Sequence, residues 1–194
     1  MTDVRLGQRE DGDKIAAMLG RAFINDPAMS FIFPDQEQRK TRMPLLFRQL
    51  FASDRKAGGV MMTPGGEAAT LWRAPGRIAI PFLEELLNAK SYLKALGPHV
   101  FRAMGLSHAI EAQMPKGEFW YLHIAGCDPA AQGKGYGRAV IQAGLDQLVK
   151  TDACYLETGT ERNLGFYRAL GFELIGDWQV PGGPRLWSML RPKA

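Results

Sequence analysis

The sequence has only two cysteines, Cys127 and Cys154, among its 194 residues. Two cysteines are too few for a disulfide framework, and neither has a Cys or His nearby at metal-ligand spacing. A disulfide between them would have to join the end of one predicted strand to the start of its parallel neighbour, and that distance is too long for a disulfide bond. We therefore expect no metal site and a reducing, cytoplasmic location.

Long apolar runs are also lacking. No stretch approaches the roughly 18 apolar residues needed to cross a bilayer, and residues 1–5 lack the apolar core of a signal peptide. Lys and Arg number 24 against 20 Asp and Glu, but they form no run interleaved with aromatic residues. We expect neither a membrane nor a nucleic-acid partner, and a homodimer stays open. The small positive surplus suits an anionic ligand such as a polyphosphate, or serves solubility alone.

The N-terminal half, residues 1–117, is patterned as a short strand, helices and a hairpin. A first helix is predicted to end at Asn25-Asp26-Pro27, and residues 30–35 are predicted to form an aromatic-rich turn. A helix over residues 37–54 contains Pro44, which costs about 3 kcal/mol in a helix interior and predicts a kink or a break. Glycine and proline at residues 64–66 then predict a hairpin.

The last part of this half is predicted to be helical. Apolar residues at helical spacing extend from about residue 80 to 112, with a break at Gly97-Pro98. Leu83, Leu86 and Leu87 are predicted to share one helical face.

The C-terminal half, residues 118–194, has a different pattern. Residues 119–125 are nearly all apolar, as in a strand that is buried on both faces. A glycine-rich loop, a helix, a strand over residues 153–157 and a second helix follow, and two more strands close the half. The resulting βαβα order makes the two buried strands parallel neighbours, with the loop at their carboxyl ends, where ligands bind in open α/β sheets. We predict a single α/β domain with a twisted mixed sheet flanked by helices.

The loop itself, Gln132-Gly133-Lys134-Gly135-Tyr136-Gly137, has the composition of a pyrophosphate cradle. Closely spaced glycines allow backbone N–H groups to point inward, and the following helix adds the positive end of its dipole. Gln132 adds an amide donor, and Lys134 and Arg138 add positive charge. The alternative is an ordinary surface turn. Neither the P-loop nor the Rossmann glycine spacing is present.

Two motifs together give a specific resemblance. Cys127-Asp128-Pro129-Ala130-Ala131 followed by the loop resembles the acetyl-CoA motif of the GNAT acetyltransferases, Gln/Arg-x-x-Gly-x-Gly/Ala. Asn163-Leu164-Gly165-Phe166-Tyr167-Arg168-Ala169-Leu170-Gly171-Phe172 resembles a second element of that family, Asn-x-x-Phe-Tyr-x-x-x-Gly-Phe. The resemblance covers residues 118–191 and implies the GNAT fold, with direct transfer of acetyl from acetyl-CoA to a primary amine. Within the family, Leu156-Glu157-Thr158 and the Pro181–Pro184 turn look most like puromycin N-acetyltransferase and its relatives, but the N-terminal half does not support puromycin as the substrate.

The resemblance also implies which residues contact acetyl-CoA. The strand before the loop would splay from its parallel neighbour to admit the pantetheine arm, with a bulge that suits Gly126. The residues implied at the cofactor are Ala125, Gly126 and Cys127 for the arm, Gln132, Gly133, Lys134, Gly135, Tyr136, Gly137 and Arg138 for the pyrophosphate, and Asn163, Tyr167 and Arg168 on the later helix.

Three residues are candidates for catalysis. Tyr167 is the candidate general acid, since a phenol near the sulfur can protonate the leaving thiolate. The alternative for Tyr167 is a packed tyrosine on an amphipathic helix. For the general base, period-two alternation places Phe119, Tyr121, His123 and Ala125 on one face, and His123 is the titratable residue there that changes charge near neutral pH. The alternative for His123 is a core histidine, and Glu157 at the end of the next strand is its rival.

The acceptor amine is expected on the side built by the N-terminal half. The parts proposed to line it are the helix after Phe23, the Phe31-Ile32-Phe33-Pro34 turn and the strand residue Trp72, with the alternative that each of these residues belongs to the core. A small-molecule amine is the first hypothesis. A protein or peptide amine and a non-catalytic CoA-binding module are the others.

Overall fold

A computed structural model describes residues 2–79 and 82–194, and for residues 82–87 it describes the backbone alone. The helices in these residues are α1 (Gly12–Ala22), α2 (Pro27–Ile32), α3 (Gln36–Ala57), α4 (Phe82–Leu96), α5 (Val100–Gln113), α6 (Tyr136–Gly144) and α7 (Leu164–Arg168). The strands are β1 (Arg5–Leu6), β2 (Gly58–Met62), β3 (Ala68–Arg73), β4 (Trp120–Cys127), β5 (Cys154–Thr158), β6 (Glu173–Gln179) and β7 (Arg185–Arg191).

In the described residues, seven strands form one mixed sheet in the order β1-β2-β3-β4-β5-β7-β6. The β4–β5 pair is parallel, and every other neighbouring pair is antiparallel. The parallel pair is produced by the predicted crossover through α6, because a helix between two strands returns the chain in the same direction. The mixed sheet and the predicted hairpin, now β2 and β3, are confirmed.

Helices cover both faces of the sheet. On one face, α1, α2 and α3 bury Leu19, Phe47 and Phe51 against Leu71 of β3 and Ile124 of β4. On the other face, α6 and α7 pack their apolar sides on residues such as Trp72, Leu122 and Leu156. Alternating strand residues therefore supply the two halves of the core, as the period of a strand requires.

Two predictions for the N-terminal half were wrong. Residues 30–35 are not simply a turn, because α2 occupies Pro27–Ile32; Asp26 caps it by accepting the N–H groups of Ala28 and Met29, with Pro27 in the first turn. The break predicted at Pro44 is wrong, since α3 runs unbroken from Gln36 to Ala57; the other outcome predicted there, a kink, stays a prediction.

The continuity of α3 has a packing basis. A Cβ added to Gly20 of α1 would lie 3.0 Å from the Pro44 ring, so the two helices meet closely at this position. This contact helps to stabilise a helix that has lost one backbone hydrogen bond.

The predicted break at Gly97-Pro98 is confirmed. Helix α4 ends at Leu96, Gly97–His99 form a 3₁₀ turn in which Gly97 has φ of +55°, and α5 begins at Val100. The predicted start of this helical stretch at Ile80, and the side-chain face of Leu83, Leu86 and Leu87, lie outside the described residues. Among the helices that the structure describes, none has the length and apolarity that a membrane span requires.

Candidate active site

Strands β4 and β5 pair only over their first residues. The parallel register joins Trp120 to Cys154 and Tyr121 to Tyr155, and no later pairing between the two strands is present in the described residues. Both strands nevertheless continue, β4 to Cys127 and β5 to Thr158. The β4 backbone beyond Tyr121 is paired on its β3 side, so its β5 side offers N–H and C=O groups to an extended ligand.

A β-bulge lies in β4 at His123. Leu71 of β3 is paired with Ile124 and Trp72 with Leu122, so His123 is the extra residue. The predicted bulge at Gly126 was therefore misplaced, since Gly126 is in regular register with Ala69. A bulge changes the phase of side-chain alternation, and it is common next to active sites.

The bulge also corrects the predicted alternation along β4. Tyr121 and His123 share a face as predicted, but Ile124 joins the core under α1–α3, whereas Ala125 packs on the α6 side. Ala125 therefore does not share the face of His123.

Gly126 is explained by close approach rather than by a bulge. A Cβ at this position would lie 2.5 Å from Leu19 Cδ2 and 3.1 Å from Phe23 Cε2 of the chain at the end of α1. The absence of a side chain lets α1 lie directly on β4 beside the opening between the strands.

The glycine-rich loop follows β4 directly and leads into α6. Gly133 and Gly135 have φ of +79° and +84°, in the left-handed region that favours glycine, and a Cβ on either would meet no atom within 4 Å. The helical hydrogen bonds begin with the Ala139 N–H to the Gly135 carbonyl, so earlier N–H groups of the first turn have no i−4 partner. Lys134 and Arg138 are exposed, and neither has an ion pair with the described residues.

A carboxyl and a phenol meet where the two strands separate. The Tyr121 hydroxyl donates to Glu157 Oε1 in a very short hydrogen bond, and Glu157 Oε2 is buried with no hydrogen-bond partner among the described residues. Burial raises the pKa of Glu157 to about 7, against opposing effects of the Tyr121 bond and of nearby His123. Burial also raises the pKa of Tyr121 well above its ordinary value, and the Glu157 charge adds to the effect.

His123 is oriented from two sides. Its Nδ1 lies 2.7 Å from Oδ2 of Asp54 on α3, and its ring stacks on that of Tyr121 with centroids 5.1 Å apart. The other carboxylate oxygen, Asp54 Oδ1, accepts a hydrogen bond from Arg73 Nη1. Asp54 and Arg73 are fully buried, whereas the His123 side chain is 21% exposed and so keeps access to solvent.

Tyr167 lies on α7, which follows β5. Its ring is buried against Phe166 and Phe172, and its hydroxyl has no hydrogen bond to the described residues. Burial raises the pKa of Tyr167, and the charges of Glu157 and Asp26 raise it further.

Asn163 stands immediately before α7, but its side chain does not cap the helix. Instead, its Nδ2 donates to Thr158 Oγ1 at the end of β5, over 3.4 Å. Arg168 on the same helix is exposed. The structure thus brings the strand end, the glycine-rich loop and α7 to one edge of the sheet, as the sequence predicts.

Several residues predicted for the acceptor pocket belong to the core. Trp72 is fully buried on the opposite, α6-facing side, where its Nε1 donates to Thr70 Oγ1 and its ring contacts Gly144. Ile32 and Phe33 are also buried. Of this set Phe31 is partly exposed and Pro34 is exposed, and Arg102 Cζ lies 5.9 Å from the centroid of the Phe31 ring.

Sequence reasoning missed two members of the site. Asp54 appeared only as the end of a predicted helix, 69 residues before His123, and nothing local to it signals a partner. Tyr121 was placed on the same strand face as His123 but was given no role. Its position two residues before His123, on a strand parallel to that of Glu157, could have indicated a contact between the Tyr121 and Glu157 side chains. In the described residues, no three His, Cys, Asp or Glu side chains form a group that could hold a metal ion.

Comparisons with known proteins now bear on this geometry. The model of the acetyltransferase (GNAT) family matches residues 96–172. The crystal structure of histone acetyltransferase HPA2 and related acetyltransferase from Corynebacterium glutamicum superposes with a TM-score of 0.72 at 23% identity, covering 100% of this chain and 98% of that one. The chain has the GNAT acetyltransferase fold. Acetyl-CoA is the co-substrate of the acetyltransferase (GNAT) family.

Two curated GNAT-related enzymes match parts of the sequence. Mycothiol acetyltransferase from Mycobacteroides abscessus is 29% identical over 102 residues, which are 50% of this chain and 34% of that protein. N-alpha-acetyltransferase RimI from Mycobacterium tuberculosis is 39% identical over 57 residues, 28% of this chain and 35% of that protein. The chain thus spans about a third of the length of these relatives. The comparisons leave the acceptor class unresolved, since the two relatives differ in what they acetylate by name.

Proposed function

We propose that the protein transfers an acetyl group from acetyl-CoA to the primary amine of a small molecule by direct attack. One observation carries the proposal: β4 and β5 separate after Tyr121, with the glycine-rich loop after β4 and Tyr167 after β5 at the same sheet edge. This arrangement gives an extended acyl carrier a backbone edge, an anion cradle and a buried phenol together.

The residues present suit acetyl-CoA. The open β4 edge over Ala125, Gly126 and Cys127 would pair with the amides of the pantetheine arm. The N–H groups of the first α6 turn would bind the pyrophosphate, aided by the charges of Lys134 and Arg138. Asn163 would donate to the arm from the other side. When bound, acetyl-CoA supplies an activated acyl thioester, and the protein supplies position and proton transfer.

Tyr167 is the general acid in this proposal. A tyrosine hydroxyl is protonated at neutral pH even at its ordinary pKa, which burial raises further, and this hydroxyl has no competing hydrogen bond to the described residues. A protonated phenol can give its proton to a departing thiolate and stabilise the developing charge.

His123 is the general base. Its side chain is partly exposed and can release a proton to solvent, whereas the carboxyl of Glu157 is buried. The amine nitrogen bonds to the acetyl carbon as the carbon–sulfur bond breaks. His123 takes one proton from that nitrogen, and Tyr167 gives one to the leaving sulfur.

Glu157 has a different role in this scheme. Its Oε1 accepts the Tyr121 hydroxyl, and the Tyr121 ring stacks on that of His123, so Glu157 helps to hold the ring that flanks the base. The raised pKa of Glu157, to about 7, also makes it the alternative base. The variant Glu157→Gln separates the two assignments. If His123 is the base, the variant retains the pH dependence of kcat/KM. If Glu157 is the base, the acid limb of that profile is abolished.

A protein or peptide N-terminal amine is the second candidate acceptor, favoured by the similarity to N-alpha-acetyltransferase RimI. The small-molecule amine stays the first proposal, and the amine panel described below decides between the two acceptor classes. The resemblance to puromycin N-acetyltransferase and its relatives stays a prediction within this proposal.

Release of free CoA thiol from acetyl-CoA, measured over an amine panel, tests the proposal. The panel contains small aliphatic and arylalkyl amines, peptides with a free N-terminus, and peptides whose free amine is on lysine. Turnover with small amines is expected. Turnover with peptides alone would replace the acceptor class, and no turnover together with no acetyl-CoA binding in calorimetry would overturn the whole proposal.

A further inference from the structure

Asp54 is a buried acid outside both acetyl-CoA motifs. It lies in the last turn of α3, its side chain is fully buried, and its two oxygens have different partners. Oδ1 accepts from Arg73, and Oδ2 faces Nδ1 of His123 at 2.7 Å. A carboxylate in such a place requires charged or hydrogen-bonding partners on both oxygens.

Arg73 holds this acid in one orientation. Its Nη1 also donates to Ser53 Oγ over 3.2 Å, and its Nε donates to the Arg77 carbonyl over 3.0 Å. The guanidinium is therefore fixed by several acceptors, and Asp54 Oδ1 cannot rotate away without leaving a buried charge unpaired. Oδ2 is consequently fixed toward β4.

The contact with Asp54 decides which ring nitrogen of His123 carries the proton. A carboxylate oxygen only accepts hydrogen bonds, so the facing Nδ1 must be an N–H. In the neutral ring, Nε2 then has the free lone pair. The stacking of the ring on Tyr121, at an interplanar angle of 29°, restrains its plane as well.

We propose that Asp54, anchored by Arg73, is a positioning residue that keeps His123 in its Nδ1–H form, so that Nε2 can accept the proton of the acceptor amine. This inference rests on the proposed function, in which His123 is the base. Asp54 does not touch the reacting atoms. After proton transfer, its carboxylate stabilises the imidazolium until His123 releases the proton to solvent.

Asp54→Asn tests the proposal with little change of shape. Arg73 retains the amide oxygen as its acceptor, which turns the amide NH₂ toward His123 Nδ1. An NH₂ donor there requires an unprotonated Nδ1, so the proton moves to Nε2 and the base loses its lone pair. We expect kcat to fall by about 100-fold or more, the usual contribution of a general base, with the KM for acetyl-CoA nearly unchanged.

The tautomer can be read without any activity. Nitrogen-15 spectra of histidine-labelled protein contain three rings, those of His99, His108 and His123, and His123→Gln identifies the relevant signals. The wild-type protein should show His123 as the Nδ1–H form, and Asp54→Asn should show the Nε2–H form. A wild-type His123 in the Nε2–H form would overturn the proposal, even if Asp54→Asn fails to fold.

A double-mutant cycle separates positioning from a general loss of structure. If Asp54 acts through His123, Asp54→Asn should reduce kcat little further in a His123→Gln background. Equal losses in both backgrounds would overturn the proposal. Asp13→Asn is the matched control, since it removes a carboxylate paired at 2.7 Å with Arg48 on the surface, and it should leave kcat unchanged.

The failure of this inference differs from the failure of the proposed function. An active wild-type enzyme whose Asp54→Asn variant is folded and equally active would reject the positioning role alone. An inactive wild-type enzyme that does not bind acetyl-CoA would reject the function, whereas the histidine spectrum would still report the tautomer.

Discussion

Replacing Glu157 with Gln should stabilise the protein at pH 8, although the residue lies in the candidate active site. Burial raises the Glu157 pKa from 4.5 to about 7, so the folded protein resists ionising a carboxyl that the unfolded chain ionises readily. The free Oε2 has no hydrogen bond among the described residues to offset this loss of hydration. Gln keeps the shape of the protonated acid and carries no charge.

The sign of the effect follows from the order in which protons are lost. Below pH 4.5 the carboxyl is protonated in both states, and its contribution to stability is fully present. Between pH 4.5 and about 7 the unfolded chain loses its proton first, so this contribution is lost as pH rises through the folded-state pKa. At about 1.4 kcal/mol per pH unit, the wild-type protein loses at most about 3 kcal/mol over this window. The Gln variant does not titrate there and does not lose it.

Urea unfolding of both proteins from pH 4 to pH 8 measures this difference. The unfolding free energy of Glu157→Gln minus that of wild type should rise with pH, by up to about 3 kcal/mol. Glu67→Gln is the control, because the Thr63 hydroxyl lowers the pKa of Glu67, so this carboxyl is ionised in both states above pH 4.5 and the difference should stay nearly flat from there to pH 8. A difference for Glu157→Gln that is flat or falls with pH would refute the assignment of Glu157 as a buried carboxyl without a compensating partner.

Three other variants test separate parts of the site. Tyr167→Phe should lower kcat by about 100-fold or more with a nearly unchanged KM for acetyl-CoA, because the ring keeps its packing on Phe172 and only the acidic hydroxyl is lost. Steady-state kinetics measure both constants, and an unchanged kcat would show that Tyr167 has no role in catalysis. Gly126→Ala should lower the free energy of unfolding, measured in urea, by about 1–3 kcal/mol, since its Cβ would lie 2.5 Å from Leu19 Cδ2. Gly105→Ala is the control and should not lower it, because a Cβ there would have no atom within 4 Å. Equal stability of Gly126→Ala and wild type would contradict the close packing of α1 on β4. The double variant Lys134→Ala with Arg138→Ala should weaken acetyl-CoA binding, and the loss should be largest at low salt. Calorimetry at two ionic strengths measures it, and an unaltered affinity would mean that the pyrophosphate does not bind at this loop.

The sequence predicts the element order of the C-terminal half well because its signals are local. A continuous apolar run, glycines at set spacing and an amphipathic helix each lie within a few residues, and they place β4, the loop and α6 correctly. The two motifs add the relation between the loop and α7. Helix α2 was also within reach, because Asp26-Pro27 is a helix-start signal that was interpreted as the end of α1.

The catalytic surroundings could not be predicted because they depend on contacts distant in the sequence. The bulge at His123 depends on the register between β3 and β4, and no residue type marks it. The contact of Asp54 with His123 joins α3 to β4, and Arg73 reaches the same acid from β3. Trp72 was misassigned because alternation does not tell which face of a strand is the ligand side when both faces are buried.

The most direct test of the account measures both products of one reaction. The protein is incubated with acetyl-CoA and the best amine of the panel, and free CoA thiol and acetylated amine are quantified in the same sample, by colour reaction and by mass spectrometry. The account predicts one acetylated amine for each thiol released, at a rate that falls sharply in Tyr167→Phe. Release of thiol without acetylated amine would contradict the account. So would a one-to-one yield formed at the same rate in wild type and in Tyr167→Phe, Asp54→Asn and His123→Gln.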